Sequence, residues 1–197
     1  MDENRDRIWI EDLLRRDDEA MACLRAVRGI GNGRLWIGAG FIRNRVWDHL
    51  HGYARPTPLN DIDVLGFEPD DPEGRHEERL EERLNALLPG RCFEVRNQAR
   101  MHERHGDPPY SDIADALAHW METPTAVAVR MNGNDHMEFV HPVGLGDLMD
   151  MIVRPTPARA CSLAGFDARM AKKRWPEIWP MVRIRREPPE PALKISR

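Results

Sequence analysis

The sequence has no apolar run approaching the length of a membrane span, and the stretch from Met1 to Asp18 is charged throughout. Both absences argue against a transmembrane helix and a signal peptide, so a cytoplasmic protein with no membrane partner is expected. Cysteine is scarce: Cys23, Cys92 and Cys161 are scattered, with no Cys-x-x-Cys pair. That spacing excludes a disulfide framework and a zinc knuckle and suits a reducing compartment. Cys92 sits in an apolar strand pattern, where burial is expected. The histidines give no zinc motif; His102 and His105 are three apart but run into Gly106-Asp107-Pro108, a turn. An excess of positive charge is also missing, since 29 Lys and Arg face 33 Asp and Glu for a net charge of −4. This speaks against a general nucleic-acid binder while leaving local patches open. No internal repeat is present.

What is there is an ordinary globular balance, 41% hydrophobic and 31% charged residues over 197 positions. That suffices for one core, expected over residues 1–184, with a Pro-rich flexible tail over 185–197. Asp17 is placed to cap a helix toward Arg28, with Gly29 as its stop. Arg34 to Ile37 reads as a short buried strand ending in Gly38-Ala39-Gly40. Phe41 to His51 follows as a helix, and Tyr53 to Asn60, with two prolines, as a loop. Asp61 to Phe67 has the pattern of a central strand. A helix over His76 to Leu88 leads to a third strand, Arg91 to Asn97, with Phe93 and Val95 on one face and Cys92 and Glu94 on the other. Ser111 or Asp112 opens another helix. Asn132-Gly133-Asn134 joins Ala126–Met131 to His136–His141 as a hairpin. Gly144 to Ile152 is a short helix. The order predicts an α/β (α+β) fold, a mixed sheet flanked by helices.

Two features carry chemistry. A strand that runs through Gly38-Ala39-Gly40 directly into a helix exposes backbone N–H groups at the positive end of the helix dipole, a place for phosphate. Arg43 and Asn44, in the first turn, add donors. The same glycines would also serve a plain strand-to-helix turn. Asp61 and Asp63, two apart on a strand, project from one face. Two carboxylates on an otherwise apolar strand repel each other unless a cation neutralises them, and such hard oxygen ligands suit Mg2+, or Mn2+. Glu94 on the next strand is the candidate third carboxylate, and Glu138, between Met137 and Phe139, competes with it. Asn97, Gln98, Arg100 and His102 would line a cleft or form a hydrogen-bonded corner. Trp175 and Trp179 read as a packing corner. Arg169 to Arg174 reads as a solvated basic helix face, with a phosphate site as the alternative.

The glycine turn, the Asp-x-Asp strand and the later acidic strand resemble the polymerase-β nucleotidyltransferase superfamily. More closely, the chain looks like a bacterial nucleotidyltransferase-like family once filed as a domain of unknown function. The likeness rests on Gly38 to Asn44 with Trp47, Asn60 to Val64, Phe93 to His102, Trp120 to Arg130, Pro142 to Leu145 with Asp147-Leu148, Arg154-Pro155, Trp175 and Trp179-Pro180. The turn departs from the superfamily's usual Gly-Gly or Gly-Ser, because Ala39 and Gly40 carry no hydroxyl. The resemblance implies a Mg-dependent nucleotidyltransferase. It would move a nucleoside monophosphate from a nucleoside triphosphate to an acceptor hydroxyl on a small molecule, a protein or an RNA. Asp61 and Asp63 would hold metal, Glu94 would assist the nucleophile, and Gly38, Ala39, Gly40, Arg43 and Asn44 would bind the nucleotide. The alternative is a non-catalytic nucleotide- or RNA-binding module that retains the fold.

Overall fold

A computed structural model describes residues 2–71 and 73–189. The tail expected from residue 185 lies, from residue 190 onward, outside the described residues.

Helix α1 (Glu3–Arg15) forms where the sequence showed only dense charge. Ile10 and Leu14, one turn apart, give it a narrow buried stripe, and Glu3 and Asp6 suit its N-terminal dipole. Asp17 caps α2 (Asp18–Gly31) as expected, its Oδ1 accepting from the Ala20 N–H at 2.9 Å. The helix continues through Gly29 and ends at Asn32, which takes the left-handed conformation that closes it. Strand β1 (Trp36–Gly38), helix α3 (Gly40–Leu50), strand β2 (Ile62–Gly66), helix α4 (Glu77–Leu87) and strand β3 (Phe93–Asn97) follow. Then come α5 (Met101–His105), α6 (Ile113–Ala118) and the hairpin β4 (Ala128–Met131) and β5 (Met137–Val140). The hairpin turn is wider than an Asn-Gly pair: Asn132 Oδ1 accepts from the N–H groups of Asn134 and His136, and Asp135 carries the positive φ. Short elements complete the chain: α7 (Gly146–Met149), β6 (Ile152–Val153), α8 (Leu163–Lys173), α9 (Trp175–Ile178) and β7 (Arg183–Ile184).

The main sheet is mixed, in the order β3-β2-β1-β4-β5. β2 and β3 are parallel, with α4 as their crossover, and the other neighbours are antiparallel. One face of the sheet carries Ile37, Ile62, Val64, Phe93, Val95 and Val129 into the large core shared with α1 to α4. The opposite face is covered by less: Trp36, Leu65 and Ala128 pack with Ile113 and Leu117 of α6. Alternation along β2 and β3 puts Asp63 and Glu94 on this second face, beyond the reach of that small cluster.

The C-terminal segment returns to α3. β6 and β7 form a parallel pair, Trp179 Nε1 donates to Asp48 Oδ1 at 2.7 Å, and Trp47 Nε1 donates to the Leu148 carbonyl at 3.0 Å. Trp175 and Trp179 meet Trp47 edge-on, at centroid distances of 5.6 and 5.2 Å. The expected packing corner is therefore present, built onto α3. Among the described residues, no helix is long and apolar enough to cross a membrane.

Candidate functional site

β1 runs antiparallel to β2, so the end of β1 lies beside the start of β2. Ile37 pairs with Val64, and continuing that register sets Gly38 next to Asp63. Asp63 in turn pairs with Glu94 across the parallel β2–β3 ladder. One row of the sheet thus reads Glu94, Asp63, Gly38, Ala128, with Asp61 one step outside β2 on the same side. The competing glutamate is elsewhere. Glu138 pairs with Arg130 on the far edge, three strands from Asp63, and its carboxylate is taken by Arg130 at 2.6 Å and Asn132 at 3.0 Å.

Gly38 is required by close approach, because a Cβ there would stand 3.1 Å from Leu65 and 3.3 Å from both the Trp120 ring and the Val127 carbonyl. Gly40 is tight in the same way, against Leu59 and the Arg43 guanidinium. Between them Ala39 holds φ 53°, ψ −124°, a conformation natural to glycine. This turn starts α3 with no side-chain cap, and the first helical bond runs from the Arg43 N–H to the Ala39 carbonyl. The N–H groups of Gly40, Phe41 and Ile42 precede that bond and point out of the helix end. Strain of this kind costs about 1–3 kcal/mol. Ala39→Gly is therefore expected to raise the unfolding free energy by about 1 kcal/mol, after the extra chain entropy of glycine. Urea unfolding of the two proteins measures this, and equal midpoints would show that the turn is unstrained.

The electrostatics fit a cation. Burial, helped by the nearby charges of Asp61 and Glu94, raises the Asp63 carboxyl to about 6 against the pull of Lys173 and Arg43. The crowding is of the sort a divalent ion relieves, and three carboxylates offer the hard oxygens that Mg2+ or Mn2+ accepts. In the ion-free chain this carboxyl takes up its proton more readily folded than unfolded. Its ionisation therefore opposes folding, and the penalty grows as pH rises from about 4 to about 6. Divalent-ion affinity should fall across the same interval on acidification, because proton and ion compete. Titrations of Mn2+ binding at pH 7.5 and pH 5 check this, and equal affinities would remove Asp63 from the ligand set. Among the described residues, the trio whose ligand atoms all lie within 4.8 Å of one another is a separate one, Glu68, Asp71 and His76; the carboxylates of Asp61, Asp63 and Glu94 stand wider apart. That trio lies past the other end of β2 and shares nothing with this row.

Arg43 and Asn44 do not stand out in solvent. Both are buried, at 7% and 6% exposure. The Arg43 guanidinium lies over the Trp175 ring at 4.3 Å, with Trp47 and Trp179 at 5.5 and 5.9 Å. Its Nη2 donates to Asn44 Oδ1, and its Nε has no partner among the described residues. Burial lowers its pKa to about 10, and it remains a cation at neutral pH. Trp47, at i+4 from Arg43, is the one local sign of this burial; Trp175 and Trp179, which complete the enclosure, are more than a hundred residues away.

Sequence reasoning also missed the reach of α8. Arg169 is not on a plain solvated face: its Nε and Nη2 bind both oxygens of Glu122 at 2.6 and 2.7 Å. Glu122 is wholly buried and bridges to Pro155. The charges that act on Arg43 are Glu122, Arg169, Asp63 and Asp61, so α8 closes one side of the carboxylate site. The segment after β3 resolves into a hydrogen-bonded corner. Asn97 joins the backbone of Glu68 and Asp71, and Arg100 pairs with Glu77 at 2.9 Å. Cys92, expected buried, is exposed. It precedes β3 with the parity of Glu94, not of Phe93, and lines a cavity of about 640 Å3 with Asn44, Asp48, Leu59, Asn60 and Arg91.

Comparison with known proteins gives the same architecture. A family described as Nucleotidyltransferase matches residues 26–184. An NMR structure described as a CCA-adding enzyme head domain is 30% identical, with a TM-score of 0.79 over 90% of this chain and 94% of that one. A CCA-adding enzyme in complex with CTP is 16% identical, with a TM-score of 0.62 over 89% of this chain. The Thermotoga maritima CCA-adding enzyme in complex with tRNA is 18% identical, with a TM-score of 0.59 over 89% of this chain. The chain spans 43% and 42% of those two proteins, and they share its fold. No curated protein matches it.

Proposed function

The chain belongs to this nucleotidyltransferase family, and we propose that it moves a nucleoside monophosphate from a nucleoside triphosphate to an acceptor hydroxyl. The observation that carries the reading is the row of Asp61, Asp63 and Glu94 on one face, at the sheet end that also holds the Gly38–Gly40 turn.

Asp61 and Asp63 would hold a divalent cation, Mg2+ or Mn2+, through their carboxylate oxygens. When bound, that ion neutralises charge on the phosphates. Glu94 accepts the proton of the acceptor hydroxyl. To do so it exchanges its contact with Arg96, at 3.2 Å, for the acceptor. The hydroxyl oxygen then bonds to the α-phosphorus, the α–β bridge breaks, and pyrophosphate leaves with its electron pair. The N–H groups at the head of α3, presented by Gly38, Ala39 and Gly40, receive phosphate oxygens. Arg43 adds its charge from below the turn, and Asn44 fixes the guanidinium. Proteins of the same fold described with CTP and with tRNA support a nucleoside triphosphate as donor. They also favour RNA over a small molecule or a protein as acceptor.

The hydroxyl-free turn at Ala39 favours a second reading, a binding module that does no chemistry. The deciding experiment follows label from [α-32P]CTP and [α-32P]ATP into total RNA with Mg2+. Transfer that the Asp63→Asn protein lacks supports the enzyme. Nucleotide binding without transfer to any acceptor fraction favours the module.

A further inference from the structure

We propose that α8 forms the polyphosphate grip of this site, with Lys173 and Arg169 taking the β- and γ-phosphates. The inference deepens the nucleotidyl-transfer reading and rests on it for the identity of the ligand, an inorganic polyphosphate chain esterified to a nucleoside.

The chain departs from its superfamily at the turn, where Ala39 offers no hydroxyl to a phosphate. The first cation after the turn is also withdrawn, because Arg43 is sandwiched among tryptophans and turned onto Asn44. A triphosphate brings about four negative charges to a place already holding three carboxylates, so cations must come from elsewhere. α8 supplies them. Lys173 lies four residues after Arg169, on the same helix face. The next residues, Arg174 and Trp175, carry the chain onto the Arg43 guanidinium at 4.3 Å. The Arg43 Nη2 itself lies 3.4 Å from where a Gly40 Cβ would be. Gly40, Arg43 and Trp175 thus adjoin one another, and α8, which carries Lys173 and the Glu122-bound Arg169, leads directly into Trp175.

The two cations on that helix differ in kind. Arg169 is fixed: Glu122 holds two of its nitrogens, and 40% of its side chain stays exposed. Lys173 makes no ion pair among the described residues and keeps an accessible ammonium, one of three lysines in the chain. Lys173 is near enough to Asp61 and Asp63 for their charges to act on one another, and it follows Arg169 by one helical turn. A compact, mobile ammonium beside a fixed guanidinium suits a phosphate chain that must be held and then released as pyrophosphate.

The test uses inorganic tripolyphosphate, which lacks base and ribose, titrated calorimetrically into the full chain without divalent ions. Lys173→Ala should weaken binding about tenfold, the scale of a hydrogen bond to a charged group. Lys173→Arg should retain affinity within about threefold because the charge remains. Lys172→Ala, one position around the helix, should bind as the unaltered protein does. The Asp61→Asn, Asp63→Asn protein should bind tripolyphosphate at least as tightly, since repulsion is removed. Equal affinity of Lys173→Ala and the unaltered protein overturns the proposal, and so does an equal loss in Lys172→Ala, which would mean diffuse attraction. Lys173-dependent binding in a protein with no transfer activity would keep the grip and reject the enzymatic reading.

Discussion

Glu94→Gln is expected to lower turnover about 10²–10⁴-fold, the usual loss on removing a general base, while triphosphate affinity stays within a few-fold. The reason is the pairing of Glu94 with Asp63 across β2 and β3. That register sets Glu94 beside Asp63, the proposed metal ligand, and one strand farther than Asp63 from Gly38. Its interaction belongs to the moment when the hydroxyl loses its proton, so its loss falls on kcat more than on ground-state binding. Glutamine keeps shape and hydrogen-bonding capacity. It also keeps a partner for Arg96, so the fold is not expected to suffer. Steady-state kinetics of purified protein separate the two effects. Transfer retained in full by the variant would leave Glu94 without a chemical role, and a fall in affinity matching the fall in rate would make it a binding residue.

The second large effect is thermodynamic. A divalent ion that binds only the folded chain stabilises it by about 2.7 kcal/mol at a concentration one hundred times its Kd. For a chain of this length that is a rise in Tm of about 5–10 °C. Changing Asp61→Asn and Asp63→Asn together should abolish the rise. It should also stabilise the ion-free protein slightly, because burial and like charge hold the Asp63 carboxyl up at about 6. Differential scanning fluorimetry with and without Mg2+ reads both quantities. An ion-induced shift of the same size in the double variant would move the metal site away from this row, and the Glu68, Asp71, His76 trio would be the next place to look.

The parts of this protein that were legible in its sequence are those written in local patterns. Alternation along Asp61 to Phe67 and along Arg91 to Asn97 put Asp63 on one face with Asp61 and Glu94 on the face opposite Phe93 and Val95, and the parallel register then made Asp63 and Glu94 neighbours. Asp17 announced α2 because capping is settled within three residues. Glu94 and Glu138 were indistinguishable, since both alternate with apolar neighbours. Strand order separates them, and strand order is set by long-range packing. The burial of Arg43 and the reach of α8 were hidden for the same reason. Trp175 and Arg169 approach Arg43 only once the last quarter of the chain has folded back. Cys92 was misread because an apolar run does not reveal where a strand begins. Helix α1 was missed because two buried residues in thirteen make a faint stripe among so many charges.

The bond between Trp179 Nε1 and Asp48 Oδ1 spans 131 positions of sequence, and the same carboxylate receives the Thr57 N–H and hydroxyl at 2.6 Å. One side chain thus waits for the far end of the polypeptide before the loop ahead of Asp61 is fully tied down. Contacts of such separation slow folding, because the closure entropy is lost before any stabilising contact forms. On a ribosome adding roughly 5–20 residues each second, Asp48 emerges many seconds before its partner. All five strands of the sheet emerge before α8, Trp175 and Trp179 do, yet Phe166, Met170, Trp175 and Trp179 belong to the same core as Ile37, Val64 and Phe93. A product cut short before α8 would therefore lack part of its core together with one wall of the candidate site.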